Sequence, residues 1–305
     1  MTDFQIIDET MQKLYDIPCS DPDAPAKRSD SFSVLQKYAD SLDNRVFTDF
    51  VNASSSLSQK DVESMMEQNP ILFYYEKSFD KIVSELKTAC PKNNETIFWH
   101  VYNMGYIVKT QSSCFSIDLS HRRGDELEPF LDFALVTHNH NDHYTLPFLK
   151  KMAAAGKNIY SNFYPSPGYS KLSENRIHNN GITLYSYESD HNSMLRKFMM
   201  PFEIILDNCI LFTGGDSCNA EQLYHHAPCI DYFIVHPYVG LDTVTAAKKT
   251  LQPRVTLISH LMEFGHAIDK WRWSFQDGIN AVRKLEDAGC TAWMPLCGEK
   301  IVHIR

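Results

Sequence analysis

Three histidines and a carboxylate crowd into six residues at His138-Asn139-His140-Asn141-Asp142-His143. They directly follow the apolar run Phe133-Ala134-Leu135-Val136, whose length and composition predict a buried strand. A strand ending in alternating histidines throws His138 and His140 to the same side, because side chains repeat every two residues. Asp142 and His143 then fall in the turn that follows, where the chain can fold them back. Neutral imidazoles beside an anionic oxygen suit a borderline-soft divalent cation: zinc first, with manganese or iron as alternatives. A merely polar surface loop is the competing reading. It fails on density, because imidazoles this close repel when protonated and bring no packing gain.

The rest of the composition sets limits. A chain of 305 residues with 43% apolar content can fill one large α/β domain with additions, or two smaller ones. No apolar run is long enough to span a membrane. The start, Met1-Thr2-Asp3-Phe4-Gln5, lacks the basic-then-apolar build of a signal peptide. A net charge of −9 with no basic stripe argues against nucleic acid as a partner. A small-molecule substrate, acidic ones included, fits better, because bound cations would make a site locally positive. Eight cysteines contain no C-x-x-C pair and predict reduced thiols in a cytoplasmic protein. Cys218 is the one to watch, two residues from Asp216. Oligomeric state is not legible.

Residues 1–92 read as a mostly helical extension. Pro18, Pro22 and Pro25 predict an irregular stretch. Ser58 is a candidate cap for a helix through Met66, with Asp61 favouring its N-terminal dipole. Phe79, Ile82, Val83 and Leu86 form a helical stripe ended by Pro91. Residues 93–305 read as the catalytic domain. Thr96-Tyr102, Tyr106-Thr110 and Cys114-Asp118 predict antiparallel neighbours. Strands and helices then alternate, with helices near Leu146-Ala155, Thr243-Leu251 and Ser274-Ala288. His225 and His226 fall in another expected helix. The pattern implies an α+β fold, a four-layer αββα sandwich.

Further candidate ligands stand where expected strands stop. Ile182-Tyr187 leads to His191, Ile210-Thr213 to Gly214-Gly215-Asp216, and Val255-Ser259 to His260. Strand ends are rigid and their loops open to solvent, which suits a site that is fixed yet accessible. The two glycines let the backbone before Asp216 turn sharply and approach the metals.

The series Asp118, His138-x-His140-x-Asp142-His143, His191, Asp216 and His260 resembles, in order and approximate spacing, the five-motif pattern of the metallo-β-lactamase-fold hydrolases. The resemblance runs from about Thr96 to the C-terminus. Within that superfamily the chain looks most like the branch holding ascorbate-6-phosphate lactonase and N-acyl phosphatidylethanolamine phospholipase D. The carriers are the strand pair ending at Asp118, the string from Thr137 to His143, and Ile258-Ser259-His260. The resemblance implies two divalent metal ions, one on His138, His140 and His191, the other on Asp142, His143 and His260, with Asp216 bridging. Asp118 would be structural. His266 rivals His260 but stands farther from the strand.

That pattern implies a binuclear hydrolase acting through a metal-bridging hydroxide on a small phosphoester, phosphodiester or lactone, with Asp142 or Asp216 holding or moving the proton. Arg122 and Arg123 are candidate anion clamps or residues of a solvated loop. Trp271 and Trp273 are candidates for a pocket wall or for core packing. Tyr238 is placed to donate to a substrate oxygen, and His236 reads as structural. Two other classes compete: an iron-dependent oxidoreductase or dioxygenase of the same fold, and a non-catalytic metal-binding regulator.

Overall fold

Local capping and apolar periodicity account for the helical N-terminal region. The computed structural model describes residues 1–53, 57–169 and 174–305. Six helices precede the first strand: α1 (Asp3–Tyr15), α2 (Ala24–Lys27), α3 (Ser29–Asp40), α4 (Asn44–Asn52), α5 (Gln59–Gln68) and α6 (Ile71–Thr88). The Ser58 hydroxyl accepts from the Asp61 amide at 3.2 Å, and the Asp61 carboxylate accepts from the Ser58 amide at 3.1 Å. This reciprocal box satisfies two otherwise orphaned donors, so α5 starts where the sequence predicts. On α6, Leu72, Tyr75, Phe79, Ile82 and Leu86 are buried along one stripe. Its end touches the first sheet: Trp99 donates to Glu85 at 2.8 Å and Lys109 to the Leu86 carbonyl at 3.2 Å.

Thirteen strands form two sheets among the described residues. The first begins as an antiparallel meander, β1 (Glu95–His100), β2 (Tyr106–Lys109) and β3 (Cys114–Ile117). It continues in parallel through β4 (Phe133–Leu135) and β5 (Asn158–Tyr160), with α7 (Leu146–Ala154) crossing between them. The second sheet starts with the antiparallel run β6 (Glu174–Asn179), β7 (Ile182–Tyr187), β8 (Phe202–Ile205) and β9 (Ile210–Thr213). Parallel strands β10 (Tyr232–Val235), β11 (Val255–Ile258) and β12 (Ala292–Trp293) complete it. Their crossovers contain α8 (Thr243–Thr245), which runs into a π-helical turn over Ala246–Leu251, and α9 (Phe275–Asp287). The last strand, β13 (Lys300–Ile304), returns to pair with β1 in the first sheet.

Strand alternation divides the apolar side chains between two cores. Phe98, Val108, Phe115 and Leu135 meet Leu184, Phe202, Leu211 and Leu257 between the sheets. Trp99, Ile107, Ala134, Phe212 and Phe233 point the other way and share a core with the helices. Residues of α1, α3, α4 and α6 belong to that outer core, so the N-terminal helices cover strand faces as well as each other.

Two sequence expectations need correction. β4 stops at Leu135, so His138 and His140 lie in a loop and not on alternate positions of an extended strand. His225 and His226 also lie in a loop; the His226 ring stacks on Tyr185 at 3.9 Å, and its amide donates to Glu203 at 2.8 Å. The polar strand β6 carries no apolar alternation to announce it, because Ile177 is its only apolar residue.

Candidate metal centre

The chain ends of β3, β4, β7, β9 and β11 bring the candidate ligands to one edge of the sandwich. Asp118, fully buried, organises the densest part. Its carboxylate accepts from the Thr137 amide and the Thr137 hydroxyl, both at 2.8 Å, and its Oδ2 lies 3.1 Å from His143 Nδ1. The Thr137 hydroxyl has one proton, already given to Asp118, so at 3.0 Å it accepts from His138 Nδ1. That assignment leaves a lone pair on His138 Nε2, which points to His140 Nδ1 at 3.0 Å. Hydrogen bonds from Asp118 through Thr137 therefore do what strand alternation was expected to do.

Asp216 lies between two groups of side chains. Its Oδ2 is 3.9 Å from His138 Nε2, 3.7 Å from His191 Nε2 and 3.6 Å from His260 Nε2. Its Oδ1 is 3.4 Å from His143 Nε2. Asp142 Oδ2 lies 3.0 Å from His260 Nε2 and 3.6 Å from His143 Nε2. The donor atoms of His138, His140, His191 and Asp216 fall within 4.8 Å of one another, and so do those of Asp142, His143 and His260. All seven residues named from sequence thus converge. His266 does not join them; its Nδ1 faces Glu263 at 3.2 Å.

The backbone is strained around the cluster. Asp118, Asn103 and His260 adopt φ values of 43°, 56° and 60°, the left-handed region that non-glycine residues rarely enter. Such conformations cost about 1–3 kcal/mol each and persist where surrounding contacts enforce them. Asn103 shows how. Its carbonyl accepts from the His260 amide at 3.1 Å, while its side-chain amide donates to Asp142 Oδ2 at 3.0 Å. Gly215, at φ 52°, is required by a close approach: a Cβ there would meet Thr137 Oγ1 at 2.7 Å. The glycine thus packs on the residue that orients His138.

Charge and burial oppose each other here. Burial alone would raise the Asp142 carboxyl, but His143 and His260 hold it well below the usual carboxylate range. Asp216 behaves likewise under His260, His143 and His236. Burial would lower His143 and His260, yet Asp216 and its neighbouring carboxylates raise both. Burial and the adjacent His143 keep His138 well below the ordinary imidazole value. The carboxylates of Asp118, Asp142 and Asp216 therefore demand positive charge at the cluster, from protons or from cations.

Unsatisfied atoms favour cations. His143 Nε2 and Asp216 Oδ1 are buried without a hydrogen-bond partner among the described residues. An unmade bond at such a site costs about 1–3 kcal/mol. A divalent ion would use these lone pairs, and five imidazoles with two carboxylates suit zinc, manganese or iron. His236, given only a structural role from sequence, is the main addition. It stacks face to face on His260 at 3.8 Å, and its Nδ1 lies 3.3 Å from Asp216 Oδ1. Burial and His260 lower its pKa to about 4. Its place directly after β10 was the available signal, since the other histidines of the cluster also follow strands.

The cluster opens into a cavity of about 680 Å³ lined by Tyr238, His266, Trp271 and Trp273, as well as by the N-terminal residues Phe47 and Val51. Arg122 and Arg123 are elsewhere. Arg122 is buried and forked onto Glu76 at 2.5 and 2.9 Å; Arg123 binds Asp80 at 2.7 Å and Glu126 at 2.8 Å. They fasten α6 to the loop after β3 and do not line the cavity. Tyr238 also departs from its expected role, because its hydroxyl donates to the Asp277 carbonyl at 2.6 Å. All eight cysteines are unpaired, and Cys218 is not among the converging donors.

No protein-family model and no curated protein matches the chain. Solved structures do. A metallo hydrolase from the hyperthermophilic archaeon Ignicoccus hospitalis superposes with a TM-score of 0.53, covering 69% of this chain and 99% of its own at 16% identity. The metallo-β-lactamase fold protein YhfI from Bacillus subtilis gives 0.52 over 68% and 99%, at 12% identity. The chain has the metallo-β-lactamase fold. An isothiocyanate hydrolase from Delia radicum gut bacteria gives 0.50 over 67% and 98%, at 15% identity. These neighbours are spanned almost whole and leave the remainder of this chain without a counterpart. No helix among the described residues is long and apolar enough to cross a membrane.

Proposed function

We propose that the chain is a binuclear metal-dependent hydrolase of small phosphoester, phosphodiester or lactone substrates. His138, His140 and His191 would hold one ion, and Asp142, His143 and His260 the other, with Asp216 shared. Zinc is the first candidate. The observation that carries this reading is the position of Asp216, whose carboxylate reaches both groups: Oδ2 lies 3.6–3.9 Å from His138, His191 and His260, and Oδ1 lies 3.4 Å from His143. The ions, when bound, would supply Lewis acidity, acidifying water and polarising the scissile carbonyl or phosphoryl oxygen.

The chain's own groups divide the remaining work. Asp118 and Thr137 set the His138 tautomer, and Asn103 holds Asp142 against rotation. Asp142 is the better placed carboxylate for exchanging a proton with the cavity. Both carboxylates reach the cavity, but the Asp142 side chain is 17% exposed and that of Asp216, ringed by histidines, only 7%. The branch resemblance makes lactones and phosphodiesters sensible first substrates.

The test combines metal analysis with a panel of esters, lactones and phosphodiesters. Close to two divalent ions per chain is expected, with turnover lost in Asp142→Ala while circular dichroism stays unchanged. A chain that binds no transition metal on titration refutes the proposal.

A further inference from the structure

Resting on that hydrolase reading, we propose that the cavity takes an uncharged carboxylic ester or lactone bearing an aryl or short alkyl group. That group lies against a wall to which the N-terminal helices contribute. α4 supplies Phe47, Thr48, Val51 and Asn52, and α6 supplies Tyr75. Tyr102 follows β1, Tyr238 follows β10, and Trp271 and Trp273 follow β11. Residues of the extension therefore reach the same cavity as Asp142 and His260.

The wall presents rings and few polar tips. Tyr75 accepts from the Arg122 amide at 3.0 Å, Tyr102 from the Phe264 amide at 2.6 Å, and Tyr238 donates to the Asp277 carbonyl. Each of these hydroxyls has a backbone partner, and Tyr102 also donates to Glu263 at 3.5 Å; the Tyr75 ring already stacks on His121, so the apolar lining left for a ligand comes from Val51, Tyr238, Trp271 and Trp273. Tyr238 and Trp273 stack at 4.4 Å, and Trp271 stands at the rim 65% exposed. Trp271 meets the His266 ring edge-on at 5.6 Å, and its remaining exposed surface would gain from an apolar ligand.

Charge excludes the alternatives. Among the described residues no lysine or arginine lines the cavity. The nearby Arg272 is turned away, its guanidinium donating to the carbonyls of Ala39, Leu42, Phe264 and His266 at 2.8–2.9 Å. A phosphate or carboxylate distal to the proposed metals would find no lysine or arginine there, only the His266 imidazole, which faces Glu263 at 3.2 Å. Nor is Glu263 free to select an ammonium group. Its oxygens accept from the Gly265 amide at 3.1 Å and the His266 amide at 2.5 Å. The distal part of the ligand is therefore neutral and apolar.

The test uses p-nitrophenyl butyrate and p-nitrophenyl phosphate, which share a leaving group, on zinc-loaded protein, with the rate of Asp142→Ala subtracted. The butyrate should lead in kcat/KM by at least about a hundredfold. Val51→Trp should lower that value by about tenfold at unchanged metal content. Thr48→Lys, at an exposed position of α4, should narrow the preference by about tenfold through the added cation. A second arm measures isothermal titration of the metal-free chain with N-benzylacetamide and with phenyl phosphate; only the amide should bind. Equal or faster phosphate turnover overturns the inference, as does phenyl phosphate binding as well as the amide, or no amide binding. If neither ester turns over while the amide still binds selectively, the hydrolase reading fails and the cavity inference stands.

Discussion

Replacing Asp118 by asparagine should damage metal binding without touching any proposed ligand. Asparagine tolerates the left-handed backbone at this position, so the change removes charge without adding strain. The amide oxygen can still accept from the Thr137 amide, now 2.8 Å from Oδ1. The other terminus becomes an NH2 group facing the Thr137 hydroxyl and His143 Nδ1, at present 2.8 and 3.1 Å from Oδ2. In the Asp118→Asn protein, Thr137 must then accept from the new side-chain NH2 group and give its own proton to His138 Nδ1. That moves the imidazole proton to Nε2, where a metal needs a lone pair. His143 meets the same demand and suffers the same reversal.

Magnitudes say which effect dominates. Breaking a buried charge pair costs about 3–5 kcal/mol. Because one of the three contacts survives, about 3 kcal/mol is the expected loss. For a chain of this size that lowers the thermal midpoint by about 5 °C, leaving it folded at room temperature. Altered support of ligand histidines typically weakens metal affinity about 10- to 100-fold, and two reversed tautomers put this variant at the upper end. The assay is chelator competition monitored by zinc release, with circular dichroism as the folding control. A folded Asp118→Asn protein that binds two ions as tightly as wild type would refute the tautomer argument.

Three further outcomes follow from the same geometry. Asp216→Ala should lose more metal on dialysis than His260→Ala, since the carboxylate faces both groups; retention of both ions by Asp216→Ala, with loss in His260→Ala, would redraw the site. His121 is sandwiched between Tyr75 at 4.0 Å and Phe79 at 3.9 Å, and burial, with Arg123 and Arg122, pushes its pKa well below the ordinary imidazole value. Its folded pKa lies below the unfolded one, so its contribution is complete above about pH 6.5 and is lost as pH falls below that value. The thermal midpoint should therefore drop between about pH 7 and pH 5 more steeply in wild type than in His121→Phe; parallel profiles count against it. Arg272→Met strands four carbonyl acceptors and should cost at least about 3 kcal/mol in urea unfolding, with an unchanged midpoint showing that the clamp is idle.

The legibility of this chain was uneven for physical reasons. The convergence of the seven candidate donors could be read because a metal site would leave few choices of side chain, and because strand ends are marked by apolar runs giving way to glycine or histidine. The strand argument for His138 and His140 fails in detail. Period-two geometry needs strand hydrogen bonding, and β4 ends before either residue. Their convergence depends on Asp118 and Thr137, whose pairing spans 19 residues and leaves no local periodicity. The same limit hid Asn103, which acts through two contacts more than thirty residues away.

Charged residues misled most where burial decided their role. Arg122 and Arg123 follow a strand leading to the site, as an anion clamp would, and two adjacent cations give no sign of their partners. Those partners, Glu76 and Asp80, lie on α6, a helix legible from its apolar stripe alone. A carboxylate one turn along an amphipathic helix is ordinary until a guanidinium packs onto it. The consequence reaches the proposed function: with these arginines spent on holding α6, and Arg272 spent on holding the loop after His260, the cavity keeps the candidate metal ligands but has no lysine or arginine among its described lining residues. Selectivity then passes to the aromatic wall and to α4, the part of the chain that the shared motifs do not include.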